Sequence, residues 1–340
     1  MKNIMAVTVA TIACVSCARP EIPEPTPQQA GHVTVSFAAK ANSSQTKVFF
    51  DPEVTTEAWE KAIGSISVLV FEGAGHLVAQ HDYTPDEITA KKATFPLPQS
   101  VVQTACTFYA IANQTVADIG TRSELLSMFE GPCSMYNGAI GIVTSKAARP
   151  EGFVMTGESS QTIAAGSTTE VIIALERTVA KIAVRTTLSS DFPEKYQGKI
   201  QITSAVISGA ASRTLLIRPQ TTVTGETDYS YSGDQIPTVS PERFDNLFYL
   251  FETDLREDDP PVTVTLKGIY DQDGNPETTE DRFPVSYRIN LTDPETNGQI
   301  IRNGYYRVLV TISGLSDGDR DMTVSVKNWD TLENQFVELG

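Results

Sequence analysis

Histidine and tryptophan are scarce in this chain, with 3 and 2 copies in 340 residues. His32, His76 and His81 fall at no metal-ligand spacing such as His-x-x-x-His. Neither a Gly-x-Ser-x-Gly elbow nor a phosphate-cradling glycine loop is present. The chain is therefore expected not to be an enzyme, with no catalytic residue, no metal and no cofactor. Asp271-Gln272-Asp273-Gly274-Asn275 has the look of a calcium loop, but Arg282 stands where an EF-hand needs its bidentate Glu. That stretch reads as a hairpin turn, with a loose calcium site as the alternative. Basic residues are outnumbered: 26 Lys and Arg face 42 Asp and Glu, for a net charge of −16. Nucleic acid needs clustered cations to neutralise its phosphates, so it is excluded as a partner. Cysteine is sparse too. Beyond the first seventeen residues only Cys106 and Cys133 remain. They read as readily as two separate buried thiols as a disulfide, and no pairing is assigned.

What is present begins at the N-terminus. Lys2 precedes an uncharged apolar run over 4–15 that is too short to span a bilayer, the layout of a secretory signal. Its end at Val15-Ser16-Cys17 resembles a bacterial lipobox, in which Cys17 becomes a lipid-modified N-terminus after cleavage. Cys14, standing where leucine is usual, departs from that pattern and is itself the second candidate. An ordinary signal peptide cut nearby is the remaining alternative. Residues 18–31, ARPEIPEPTPQQAG, carry prolines at 20, 23, 25 and 27. Such a stretch has too little apolar surface to fold and favours polyproline geometry, so it reads as a tether.

The rest of the chain alternates and turns. In 32–40, Val33, Val35, Phe37 and Ala39 share one strand face. Residues 66–71 are apolar on both faces, as in a central strand covered twice. Further strands are expected over 107–112, 171–175, 179–185, 200–207, 247–251, 262–269, 285–289, 306–312 and 322–326, separated by Gly, Pro, Asn and Asp. Thr121-Arg122-Ser123-Glu124 is a capping box before Leu125 and Leu126, which predicts a short helix. A weaker helical pattern covers 55–63. Many strands and few helices predict a mainly β chain of sandwich type, divided near Glu176. The tail is apolar at Val324 and Val326 and again at Trp329 and Phe336, with the parity slipping at Asn328.

Several segments, taken in order, carry a resemblance. They are HVTVSFAAK, SISVLVFEG, FYAIANQTVADIGTRSELLSMF, GFVMTGESSQTIAAGSTTEVIIALERTVAKIAVRT, and IIRNGYYRVLVTISGL followed by MTVSVKNWDTLENQFVELG. Together they resemble the fimbrillin family, the type V pilus subunits of Bacteroidia, over nearly the whole chain. The resemblance implies two transthyretin-like β-sandwich domains, 32–176 and 177–340, behind a signal (1–17) and the tether (18–31). It implies a structural subunit of a fimbria, exported as a lipoprotein to the outer membrane and extracellular fimbrium and supporting cell adhesion. Its partners would be other fimbrial subunits, the membrane through the lipid on Cys17, and a host or bacterial surface ligand.

The resemblance also implies a mechanism. A protease removes the segment containing the first strand, here Val33, Val35 and Phe37, and a neighbour's terminal strand fills the groove. Candidate donor residues are Val324, Val326, Trp329 and Phe336. Family shaft subunits are commonly cut after arginine, yet none occurs here between Arg19 and Arg122; Lys47 is the nearest substitute. Either another protease acts, or the strand stays and the subunit remains lipidated as a base anchor or accessory tip subunit. A surface glycan-binding lipoprotein is the alternative from another class, with Tyr229 and Tyr231, read as lying in a loop, as its candidate platform.

Overall fold

The computed structural model describes residues 31–39, 58–130, 138–139, 152–218, 226–232, 243–253, 261–275, 277–291, 300–315 and 320–328. In the first half the strands are β1 (Gly31–Ala39), β2 (Ile66–Glu72), β3 (Leu77–Asp82), β4 (Lys92–Leu97), β5 (Ala105–Ala112), β6 (Phe129–Glu130), β7 (Gly138–Ala139), β8 (Met155–Thr162) and β9 (Thr168–Arg177). The second half adds β10 (Val179–Leu188), β11 (Lys199–Ala211), β12 (Thr214–Leu215), β13 (Glu226–Ser232), β14 (Arg243–Phe251), β15 (Thr263–Asp271), β16 (Arg282–Asn290), β17 (Gly304–Ile312) and β18 (Arg320–Asn328). Helices are few and short: α1 (Pro85–Ala90), α2 (Arg122–Leu126) and α3 (Phe192–Lys195), with 3-10 turns at Ala58–Lys61 and Gln99–Val101. The chain is mainly β, as its alternation predicts.

Seven strands of the first half form one sheet in the order β3-β2-β5-β8-β9-β1-β4. The sheet folds over, so that its two end strands meet where the His81 ring of β3 stacks on Phe95 of β4 at 4.7 Å. Inside lie Val33, Val35, Val68, Val70, Phe108 and Val171. The double apolarity of 66–71 has a direct structural meaning. Val68 and Val70 face this core, while Leu69 and Phe71 enter a second cluster with Leu125 of α2 and with Leu216 and Ile217 beyond β12. The second half is a sandwich of β18-β17-β10-β14-β7 against β13-β11-β15-β16. Its core includes Ile182, Phe248, Leu266, Tyr287 and Val308. Two short strands of the first half cross over: β6 pairs with β12, and β7 pairs with β14.

The helix expected over 55–63 is corrected to the single 3-10 turn Ala58–Lys61, its first residues lying outside those described. Tertiary contact overrides propensity here, because Glu60 is drawn fully into the interior. The capping box at Thr121 is present, its hydroxyl accepting from the Glu124 N–H. A second box, missed in the sequence, starts α1: Thr84 caps, Pro85 follows and Glu87 reaches back. Strands β3 and β4 were also missed, since each is short and only half apolar. Tyr229 and Tyr231 belong to β13 and not to a loop, paired with Ile207 and Ala205 of β11.

At α3, the carboxyl of Asp191 is lowered to about 2, first by Lys195 and then by the Ser189 hydroxyl. A depressed carboxylate contributes stability above its unfolded pKa and loses it as pH falls through the folded value. The melting-temperature gap between the parent and Asp191→Asn is therefore expected above pH 4 and should close by about pH 2. A gap that persists unchanged through pH 2 would contradict the assignment.

Candidate functional site

The slot that holds β1 is the most distinctive site. β1 runs parallel to β9, from His32↔Thr168 to Ala39↔Leu175, and antiparallel to β4, from Gly31↔Leu97 to Ser36↔Lys92. A strand at the start of the described chain thus occupies the interior of a sheet. Val33, Val35 and Phe37 are 0, 1 and 6 % exposed. Each such side chain contributes roughly 1.5–3 kcal/mol by burial. The polar positions between them are satisfied as well. The Thr34 hydroxyl meets that of Thr94 at 2.9 Å, and the Ser36 hydroxyl donates to the Val171 carbonyl at 3.4 Å.

Tyr83 closes the slot from the core side. Its hydroxyl donates to the Val35 carbonyl at 2.9 Å, and its ring lies 5.8 Å from that of Phe37. Burial, with Glu87 adding its charge, pushes the phenol pKa well above the usual tyrosine value, so Tyr83 stays a donor. Where β1 leaves the slot, a pocket of about 360 Å³ opens beside Phe37, Ala38, Met155, Leu175, Lys61 and Arg177.

Below the slot is a buried polar joint between the two halves. Only Thr178 separates β9 from β10, and it is fully buried. Lys181 of β10 pairs with Glu60 at 2.7 Å, at 2 % and 0 % side-chain exposure. The Tyr249 hydroxyl of β14 donates to the same Glu60 carboxylate. Arg177 donates from Nε to the Glu60 carbonyl at 2.8 Å and from Nη1 to Asn303 Oδ1 at 2.9 Å. Thr178 donates to Glu130. Nearby, the buried Arg302 holds Glu252 at 2.9 Å and the Leu216 carbonyl at 2.9 Å. Nothing in the sequence marks Glu60 or Tyr83 for these roles, because their partners lie far along the chain.

The other residues singled out in the sequence are not gathered at the slot. Cys17, Lys47, Cys133, Trp329 and Phe336 lie outside the described residues. Val324 and Val326 belong to β18, opposite Val308 and Tyr306, at the edge of the five-stranded sheet. Cys106 is free and buried, and burial raises its thiol pKa. Asp271, Asp273 and Asp281 cluster in the β15–β16 hairpin with ligand atoms within 4.8 Å of one another. Arg282 pairs with Asp271 there at 3.3 Å, and Asp273 accepts from the Asn275 N–H and the Thr278 hydroxyl.

The model of a family described as Fimbrillin-A associated anchor proteins Mfa1 and Mfa2 matches residues 23–335. No curated protein sequence matches the chain. Among solved structures, a proposed cell adhesion protein from Bacteroides eggerthii is similar with a TM-score of 0.62 at 18% identity, covering 90% of this chain and 98% of that one. The fimbrilin FimA of Porphyromonas gingivalis is similar with a TM-score of 0.57 at 14% identity, covering 88% and 98%. The tip fimbrial protein Mfa3 of the same species, truncated at its C-terminus, is similar with a TM-score of 0.53 at 16% identity, covering 88% and 100%. At these identities the likeness is one of fold.

Proposed function

The chain belongs to the family of Fimbrillin-A associated anchor proteins Mfa1 and Mfa2, and from that premise we propose that it is a structural fimbrial subunit, exported as a lipoprotein and joined to its neighbours by strand exchange. One observation carries the reading: β1, close to the proposed tether, is an interior strand held by an unbranched run of pairing on both sides. Its removal would leave two strand edges and an apolar trough, a strong template for β-addition. Head-to-tail insertion does not close on itself, so it builds a filament.

Lipid and open slot exclude one another. Both Cys17 and β1 lie before 41–51, so a cut in that stretch would release the anchor together with the plug. The lack of arginine between Arg19 and Arg122, and the anchor class of the family, favour the form that keeps both. Such a subunit sits at the base, tethered to the outer membrane through 18–31, and offers its own terminal residues, Val324 and Val326 among them, to the next subunit. We place the domains at 32–176 and 177–340; the two main cores on either side of Thr178 support this division, with Leu216 and Ile217 reaching back to Leu69 and Phe71.

Mass spectrometry of the form at the cell surface tests this. An acylated Cys17 at the N-terminus is the expected result. A chain starting near Val48 would reject the base-anchor role and make the protein a polymerising shaft subunit.

A further inference from the structure

The walls of the slot are not equivalent. β9 is pinned at its end: it runs through Arg177, whose guanidinium is buried against the Glu60 carbonyl and Asn303, and with only Thr178 between them it leads into β10 of the second half. β4 is an end strand, and among the described residues its only ladder partner is β1 itself. On its other side stands β3, with no backbone ladder between them. That seam is closed by side chains alone. The His81 ring stacks on Phe95 at 4.7 Å and 12° and meets Tyr83 edge-on at 5.5 Å. His81 Nε2 is 3.2 Å from both Glu87 oxygens, which ties the start of α1 to β3.

β4 and α1 also form one continuous piece bounded by two bends. Thr84 opens it as the extended N-cap of α1, and Lys91 joins α1 to β4 at φ 54°, in the left-handed region. The Lys91 carbonyl accepts from the Phe37 N–H, so this bend touches the strand in the slot. Axial sliding of β1 is obstructed. A Cβ at Gly31 would lie 3.0 Å from Ile163 Cγ2 and 3.2 Å from Val102 Cγ2, so Ala30 could not be drawn through that position without displacing them. Sliding would also drag Val33, Val35 and Phe37 past one another's places in a close-packed core.

We propose that β4 with α1 is a movable wall of the slot, fastened to β3 by the His81–Phe95 stack and the His81–Glu87 contact and to the occupying strand by its ladder, so that opening the β3–β4 seam lets the wall swing aside and a strand enter or leave sideways. Tyr83 holds that strand from the fixed side. Tyr83 grips a main-chain carbonyl and therefore holds any strand of suitable depth, whatever its sequence. Its ring meanwhile sets the size of the inward residue two positions on. This inference rests on the strand-exchange reading of the slot: in the anchor form β1 is the resident occupant, a cut in 41–47 makes it replaceable, and the inference adds the route and the residues that control it.

The test uses the full chain isolated from the producing cell, with a protease recognition sequence placed in 41–47 and Cys133→Ser. His81→Cys and Phe95→Cys are introduced together and joined by a short, reducible bis-maleimide. After nicking, a fluorescent peptide of residues 31–40 is added in excess and its uptake followed by anisotropy. Uptake at least tenfold slower in the bridged protein than after reduction is expected. Equal uptake before and after reduction would overturn the movable wall while leaving strand replacement intact. Absence of uptake in every form, including the nicked parent without the cysteines, would defeat strand replacement itself and the wall with it. A second readout avoids the paired substitution: once the nicked strand is removed, amides of 92–97 should exchange at least tenfold faster while those of 176–177, which also pair with β8, stay protected. Retained protection of 92–97 would count against the proposal.

Discussion

Glu60→Ala is expected to lower the stability of the folded chain by roughly 3–5 kcal/mol, among the largest effects of any single substitution here. The reason is the joint. Glu60 is fully buried, and its carboxylate receives the Lys181 ammonium and the Tyr249 hydroxyl. Alanine removes that carboxylate and leaves a lysine that is 2 % exposed facing an apolar methyl. A buried charge stripped of its counter-ion costs far more than the pair contributes when intact. Replacing the partners together, Glu60→Leu with Lys181→Met, is therefore expected to be much milder than Glu60→Ala alone. Urea titration of the single and double variants measures this. Equal destabilisation by Glu60→Ala and by the double variant would mean that the damage comes from lost packing and not from the orphaned charge.

The second large effect follows excision of β1. Removing 18–47 strips Val33, Val35 and Phe37 from the core, a loss of about 1.5–3 kcal/mol for each by burial alone. It also unpairs β9 along 168–175 and leaves β4 without its ladder. The truncated chain is expected to leave the monomer peak in size-exclusion chromatography and to form intermolecular ladders on cross-linking. Adding the peptide of residues 31–40 should restore a monomer, because it offers the same register and the same three side chains. A monodisperse truncated chain with the parent's melting temperature and no response to the peptide would sink the proposed assembly mechanism.

The two experiments probe opposite ends of one construction. Glu60 sits at the start of the described chain beyond 40–57, so it holds the downstream side of that connection against β10 and β14. A cut in 41–51 would therefore free β1 while leaving Ala58–Lys61 fastened to the second half. The pinned β9 and the joint keep one wall of the slot rigid, which is what an incoming strand needs if it is to find a preformed hydrogen-bonding edge.

Local periodicity alone determined much of this protein. Val33, Val35 and Phe37 alternate with polar residues, so a strand with one buried face was legible at 32–40; 66–71, apolar on both faces, read as a strand covered twice. The Thr121 box announced α2 because its capping bonds span three residues. Contacts of that kind are written in neighbouring side chains. Tertiary structure decided where those pieces go. That β1 lies between β9 and β4 depends on pairing across 135 residues, as between Ser36 and Val171. Glu60 meets Lys181 across 121 residues and Tyr249 across 189. A surface-looking glutamate in a weak helical pattern became the centre of a buried joint because folding brought a cation and a phenol to it. Tyr83 gained its grip on Val35 in the same way. Short-range bonds follow from spacing, whereas long-range ones follow from which surfaces exclude water together, and no single stretch of sequence records that.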